Sequence, residues 1–321
     1  MRVGIFTALL SSFSLDETIQ KVKSLGVDTV ELGTGNYPSG PHCPLDMLDD
    51  AARLKAFQGK MADAGITISA LSCHGNPLHP DATIRQGFID TSRKTIQLAA
   101  KLGIQTVVDF SGCPGDGDGA TKPNWVTCAW PPEYSELVKW QWDAKVIPYW
   151  KQHAKFAADH GVRVAIEPHP GFVVYSPETM LRLRAEAGPA VGCNFDPSHM
   201  FWQHIDPIEA VRILGKENAI FHVHAKDTQI FESNCNHTGV LDTKSYLDEI
   251  HRSWIFRTVG YGHGAQWWAE FISMLRMVGY DDVLSIEHED SLMSVEEGMS
   301  KASAFLKGLI ISQPRPQAWW A

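Results

Sequence analysis

Five times along the chain an amphipathic helical segment runs into a glycine and then into a short β-branched apolar stretch: Gly26-Val27, Gly65-Ile66, Gly103-Ile104, Gly161-Val162 and Gly279-Tyr280. A glycine just past a helix supplies the left-handed cap that turns the chain back, and a Val/Ile run after it suits a strand buried on both faces. The pattern predicts strands at 3–9, 28–32, 67–71, 106–110, 163–167, 191–196, 221–224 and 283–287, with helices between them. Helix starts are marked by Ser14-x-x-Glu17, Asp206-Pro207-x-Glu209 and Ser294-x-x-Glu297, each an acceptor with a glutamate near the third helical position.

Eight βα units of about 40 residues account for the length as one closed (β/α)8 TIM barrel, residues 1–311, followed by a tail at 312–321. A doubly wound open sheet is the competitor, but neither a Gly-x-Gly-x-x-Gly nor a Walker-type loop follows any strand. Two connections are enlarged. Residues 111–150 hold five of the 11 tryptophans, and 228–264 form a long, polar, irregular link after strand seven. Both follow strand C-termini, the face on which barrel active sites lie.

Composition narrows the function. With 28 basic and 37 acidic residues the net charge is −9, which gives no general pull toward nucleic acid or anionic membrane. Small neutral or weakly charged ligands fit better. The start Met1-Arg2 followed by an apolar stretch is too short and too weakly flanked for a signal peptide, and no run reaches the length of a membrane span. Six cysteines without a Cys-x-x-Cys pair point to a reduced, cytoplasmic protein.

The predicted strands five to eight end in Glu167-Pro168-His169, Asp196-Pro197-Ser198-His199, His224-Ala225-Lys226 and Glu287-His288-Glu289. At equal heights on neighbouring strands about 4.8 Å apart, Glu167, Asp196, His224 and Glu287 converge on one point. Three crowded carboxylates repel one another unless a cation compensates. This donor set suits Mn²⁺ first, with Mg²⁺, Co²⁺ or Zn²⁺ as other occupants. His199 and His169 are placed to contact substrate, as are His74, Lys226, Arg257 and Trp130; Lys226 could neutralise an enediolate. The tryptophan-rich loop could stack a sugar ring or an aromatic aglycone. Glu31 and Asp109 read at least as well as structural carboxylates, and His74 and Asn76 read either as substrate contacts or as loop hydrogen-bonding residues.

In order, Ile166-Glu167-Pro168-His169, Phe195-Asp196-Pro197-Ser198-His199, His222-Val223-His224-Ala225-Lys226-Asp227, Gly260-Tyr261-Gly262-His263-Gly264 and Ser285-Ile286-Glu287-His288-Glu289-Asp290 resemble the xylose isomerase-like TIM barrels, which include sugar phosphate isomerases and epimerases. The resemblance implies that Glu167, Asp196, His224 and Glu287 bind the metal, that Glu167 and Glu287 are the acid/base pair, and that His199 touches substrate. One departure stands out. The ketose epimerases carry an arginine six residues after the metal histidine, where this chain has Ile230. The implied chemistry is isomerisation or epimerisation of a sugar or keto-sugar by removal of the proton α to a carbonyl, through an enediolate stabilised by the metal. The runner-up is a lyase that cleaves 3-oxo-C-glycosides by the same deprotonation with a small partner subunit. A cyclitol dehydratase, a DNA-repair endonuclease of the same superfamily and a non-catalytic sugar-binding barrel rank lower. The expected partners are a small-molecule sugar and either a second copy of the chain or that small subunit.

Overall fold

The computed structural model describes residues 1–317 and 320. Eight parallel strands close into a barrel: β1 (Arg2–Phe6), β2 (Thr29–Gly33), β3 (Thr67–Ser72), β4 (Thr106–Phe110), β5 (Arg163–Glu167), β6 (Val191–Phe195), β7 (Ile220–Ala225) and β10 (Val283–Ile286). β8 (Asp227–Ile230) and β9 (Trp254–Arg257) form a separate antiparallel hairpin between β7 and β10. β10 pairs with both β1 and β7, so β5, β6, β7 and β10 are consecutive staves. Helices pack outside, and the layer between helices and barrel is the apolar core.

The local signals act as their chemistry dictates. Gly26, Gly65, Gly103, Gly161 and Gly279 all have φ between 64° and 91°, the left-handed turn that follows each helix. Ser14 and Glu17 form a capping box, and the Asp206 and Ser294 side chains accept from backbone amides of the helices they precede.

Two expectations change. The first strand ends at Phe6, and Thr7–Leu10 coil into a 3₁₀ turn, because the barrel mouth requires the chain to leave the sheet there. The connection after β7 is not irregular throughout: it contains the β8–β9 pair, strands of four residues in which Asp227 and Thr228 are buried and Ile230 is exposed, the reverse of the alternation that would announce a strand. In the tail, residues 314–317 form no helix, and residues 318, 319 and 321 lie outside the described residues. Among the described residues no helix is long and apolar enough to cross a membrane.

Candidate active site

Strand alternation sends every second side chain into the barrel. Near the C-terminal ends this face carries Phe6, Glu31, Ser72, Phe110, Glu167, Asn194 and His224, and Phe110 is in register with Glu167. Asp196 and Glu287 follow directly on β6 and β10. The four expected ligands meet: one donor atom from each of Glu167, Asp196, His224 and Glu287 lies within 4.8 Å of the others.

Two of these donors are buried without a hydrogen-bond partner, Asp196 Oδ2 and His224 Nδ1. His224 Nδ1 lies 3.2 Å from both Glu167 Oε2 and Glu287 Oε2. His199 Nε2 and Lys226 Nζ approach Asp196 Oδ2 at 3.2 and 3.1 Å without hydrogen-bond geometry. Orphaned buried donors facing carboxylates are what a cation site leaves when its positive charge is removed. The residues therefore fit a divalent ion. Burial would raise the Glu167 pKa, but the His224 charge and hydrogen bonds from His199 and His74 hold it well below the usual carboxylate range. Asp196 is pushed up to about 6, by burial and by Glu167 and Glu287, with Lys226 opposing.

His224 is oriented from beneath. Its Nε2 lies 2.9 and 3.0 Å from the two oxygens of Glu31, which can only accept, so Nε2 carries the proton and Nδ1 faces the cluster. Glu31 also accepts from Ser72 and from Ser285 Oγ, the latter at 2.7 Å. Against the burial cost, His224, His222 and the Ser72 hydroxyl bring the Glu31 pKa down to about 2. This buried carboxylate supports the ligand histidine from the far side of the ring, an arrangement that fixes tautomer and ring direction. Its charge type alone carried no signal of that role. His222 shares the inward face of β7 one layer lower, bonded to Asn194 Oδ1 at 2.8 Å, while Asn194 Nδ2 donates to Glu167 at 2.9 Å.

A cavity of about 540 Å³ opens above the cluster, lined in part by His74, Glu167, His169, Lys226, Glu287 and Glu289. His74 Nε2 is 3.0 Å from Glu167 Oε2, and His199 Nε2 is 3.1 Å from Glu167 Oε1. His169 donates from Nδ1 to the Pro170 carbonyl at 2.6 Å, leaving Nε2 as an acceptor. Burial and the neighbouring His199 push its pKa down to about 3. Lys226, fully buried, donates to Glu287 at 2.7 Å and to Glu289 at 3.1 Å, and lies 4.7 Å from the centre of the Phe256 ring. That ring meets His199 edge-on, so the hairpin after β7 backs two site residues.

Other expected residues lie elsewhere. Arg257 pairs with Asp290 and Gln229, and Trp130 is 74% exposed; neither lines the cavity. Nor do the other tryptophans of the enlarged loop. Trp142 and Trp150 are buried in the core, Trp150 bonded to the Ser111 carbonyl, and Trp125 packs on Trp202, Trp254 and Phe256. Phenylalanines occupy the wall instead: Phe6, Phe110 and Phe172, with Tyr37 at the rim. Asn76 ties its loop to Cys113, and His263 packs on Phe201 and bonds to Asp227. The Asp227 carboxylate also accepts from the amides of Gly260, Gly262 and His263, which fastens the glycine-rich turn to the start of β8.

Asp109 anchors the loop that carries His74, accepting from the Gly75 and Phe110 amides and from Ser92 Oγ. Burial raises its pKa to about 7 despite those bonds. A carboxyl with a raised folded-state pKa holds its proton more tightly folded than unfolded, so it withdraws stability as pH rises from about 4 to about 7. Asp109→Asn keeps the acceptor for both amides. Urea denaturation is expected to show this variant gaining stability relative to the parent between pH 5 and pH 8; an unchanged difference would mean the carboxyl is not titrating there.

Comparison with known proteins agrees with this architecture. The chain is 38% identical over 314 residues to the uncharacterized protein YfiH of Bacillus subtilis (strain 168), covering 97% of this chain and 99% of that one. The crystal structure of a D-tagatose 3-epimerase-like protein superposes with a TM-score of 0.64 at 20% identity, covering 96% of this chain and 98% of the other. That of an IolI protein with a bound zinc atom gives 0.64 at 19%, covering 97% and 98%. The xylose isomerase-like TIM barrel family matches residues 19–309. With nearly the whole barrel inside that match, the chain belongs to the xylose isomerase-like TIM barrels.

Proposed function

We propose that this protein is a divalent-metal-dependent enzyme that isomerises or epimerises a sugar, keto-sugar or cyclitol by taking the proton α to a carbonyl. The observation that carries the reading is the four-donor cluster at the cavity floor, with Asp196 Oδ2 and His224 Nδ1 buried and unpartnered. A divalent ion held by Glu167, Asp196, His224 and Glu287 would polarise the carbonyl and offset the charge that develops on its oxygen. Mn²⁺ suits three carboxylates and one imidazole, and the zinc-bound IolI structure supports a metal in this fold.

Glu167 and Glu287 reach the cavity from staves on either side of β6 and β7, so a bound carbon chain would have a carboxylate on each flank. One removes the proton. Return to the same carbon from the other flank epimerises, and return to the neighbouring carbon isomerises. His74 and His199 hold the two oxygens of Glu167, which keeps its orientation fixed while it gains and loses a proton. Lys226 presents an ammonium beside Glu287 that can donate to a substrate oxygen, and His169 Nε2 can accept from a hydroxyl.

A screen of keto-sugars in D₂O with Mn²⁺, followed by proton NMR, tests the reading because α-deuteration reports the shared step whichever product forms. Exchange is expected to stop with chelator and return with Mn²⁺. Full exchange in metal-free protein would overturn it.

A further inference from the structure

The cavity is lined by two unlike sets of side chains. The carboxylates, Lys226 and the histidines face it from β5, β7, β10 and the loop after β3. Beside and between them stand Phe6 and Leu9 at and just after the end of β1, Tyr37 and Pro38 after β2, Phe110 at the end of β4, and Phe172 after β5, with the His74 and His169 rings 4.6 and 4.8 Å from that of Phe110. The rings support one another: Phe110 and Phe172 stack with centroids 4.3 Å apart at 25°, and Phe6 stacks on His224 at 5.5 Å and 24°. Tyr37 lies 6.3 Å from Phe110 and is 60% exposed, so the apolar surface continues to the rim. Because Phe110 is in register with Glu167, the apolar wall begins one strand from the proposed base.

A polyol facing this wall loses water from its hydroxyls and gains few hydrogen bonds in return. An apolar or aryl group facing it removes hydrocarbon from water and finds rings to stack on. The volume leaves room for both ends of such a molecule, since pockets of about 300–1,000 Å³ take drug-sized ligands. Charge restricts the choice further. Among the described residues lining the cavity Lys226 is the sole lysine or arginine, and it already meets Asp196, Glu287 and Glu289. With a divalent ion offsetting Glu167 and Glu287, the lining carboxylate outside the cluster, Glu289, adds a negative charge at the mouth, and Lys226 is left with no positive charge to spare for a phosphate or carboxylate on the substrate.

We propose that the substrate is an uncharged ring, a keto-sugar or cyclitol, carrying an apolar or aryl substituent that packs on Phe110, Phe172 and Tyr37. This rests on the proton-transfer reading for the chemistry at the other end of the cavity. Calorimetric titration of the Mn²⁺-loaded protein with methyl β-D-glucopyranoside, phenyl β-D-glucopyranoside and glucose 6-phosphate tests it without requiring turnover. The phenyl glucoside is expected to bind on the order of tenfold more tightly than the methyl glucoside, and glucose 6-phosphate most weakly. Phe172→Ala should bring the first ratio close to one, and Tyr37→Ser, at the exposed rim, should reduce it. Equal binding of the two glucosides, binding of neither, or a phenyl preference that survives in both variants overturns the proposal, as does tightest binding of the phosphate. The two readings fail separately. Metal-dependent α-deuteration without phenyl selectivity removes the substituent and keeps the enzyme, whereas phenyl selectivity with no α-deuteration of any keto-sugar keeps the apolar subsite and removes the proton transfer.

Discussion

Glu287→Gln is expected to lower α-proton exchange by roughly 10²- to 10⁴-fold, the usual worth of a positioned general acid or base. The amide keeps the volume and one acceptor oxygen and loses the charge and the proton affinity. Glu287 lines the cavity, and His224 and Lys226 approach its Oε2 at 3.2 and 2.7 Å. Burial works against its charged form, but Lys226 and His224 hold its pKa well below the ordinary value, so it enters the reaction as a carboxylate. Since Glu287 also belongs to the metal cluster, exchange and Mn²⁺ affinity need separate measurement. Glu287→Asp separates them: it retains the charge for the ion and withdraws the carboxylate by one methylene. Restored Mn²⁺ binding without restored exchange would assign the proton transfer to the position of this group. Unchanged exchange in Glu287→Gln would remove it from the mechanism.

Glu31→Gln is expected to weaken Mn²⁺ binding by about 10- to 100-fold, the range seen when the outer partner of a ligand histidine is lost. Three donors from three strands converge on this carboxylate: His224 of β7, Ser72 of β3 and Ser285 of β10. Glutamine fills the same volume but offers one acceptor oxygen and directs an N–H at a group that is itself a donor. His224 must then share that oxygen, turn, or move its proton to Nδ1, the atom the metal needs. Ser285→Ala is the control, because it removes a donor from Glu31 and leaves the carboxylate in place. Calorimetry on both variants, with circular dichroism to verify folding, should show the larger loss for Glu31→Gln. Equal Mn²⁺ affinity in the folded Glu31→Gln protein and the parent would mean that packing under Phe6 suffices to aim His224.

The barrel itself was legible because its signals are local and repeated. The left-handed glycines act within a turn of the helix they end, and strands β2 to β7 lie within a residue or two of the apolar runs that announce them. The four clustered donors were legible for a related reason: parallel strands bring their C-terminal ends to one height, so position at a strand end translates into a place at the barrel mouth. The tryptophan-rich loop shows where that logic stops. Composition marked residues 111–150 as a substrate wall, yet Trp142 and Trp150 are core residues of helical segments, while less conspicuous phenylalanines on β1 and β4 face the cavity.

By itself the sequence determined which residues end the strands, which of them can hold a cation and how many βα units the chain contains, since each depends on neighbours within a few positions. The tertiary structure alone decided how those ends are served. Glu31 reaches His224 only because barrel closure carries β2 across to β7, and Phe256 backs His199 and Lys226 only because the polar stretch after β7 folds into a hairpin against the mouth. Contacts of that kind join residues 193 positions apart for His224 and 254 for Ser285, both to Glu31, and their geometry comes from closing the sheet, which no local pattern encodes.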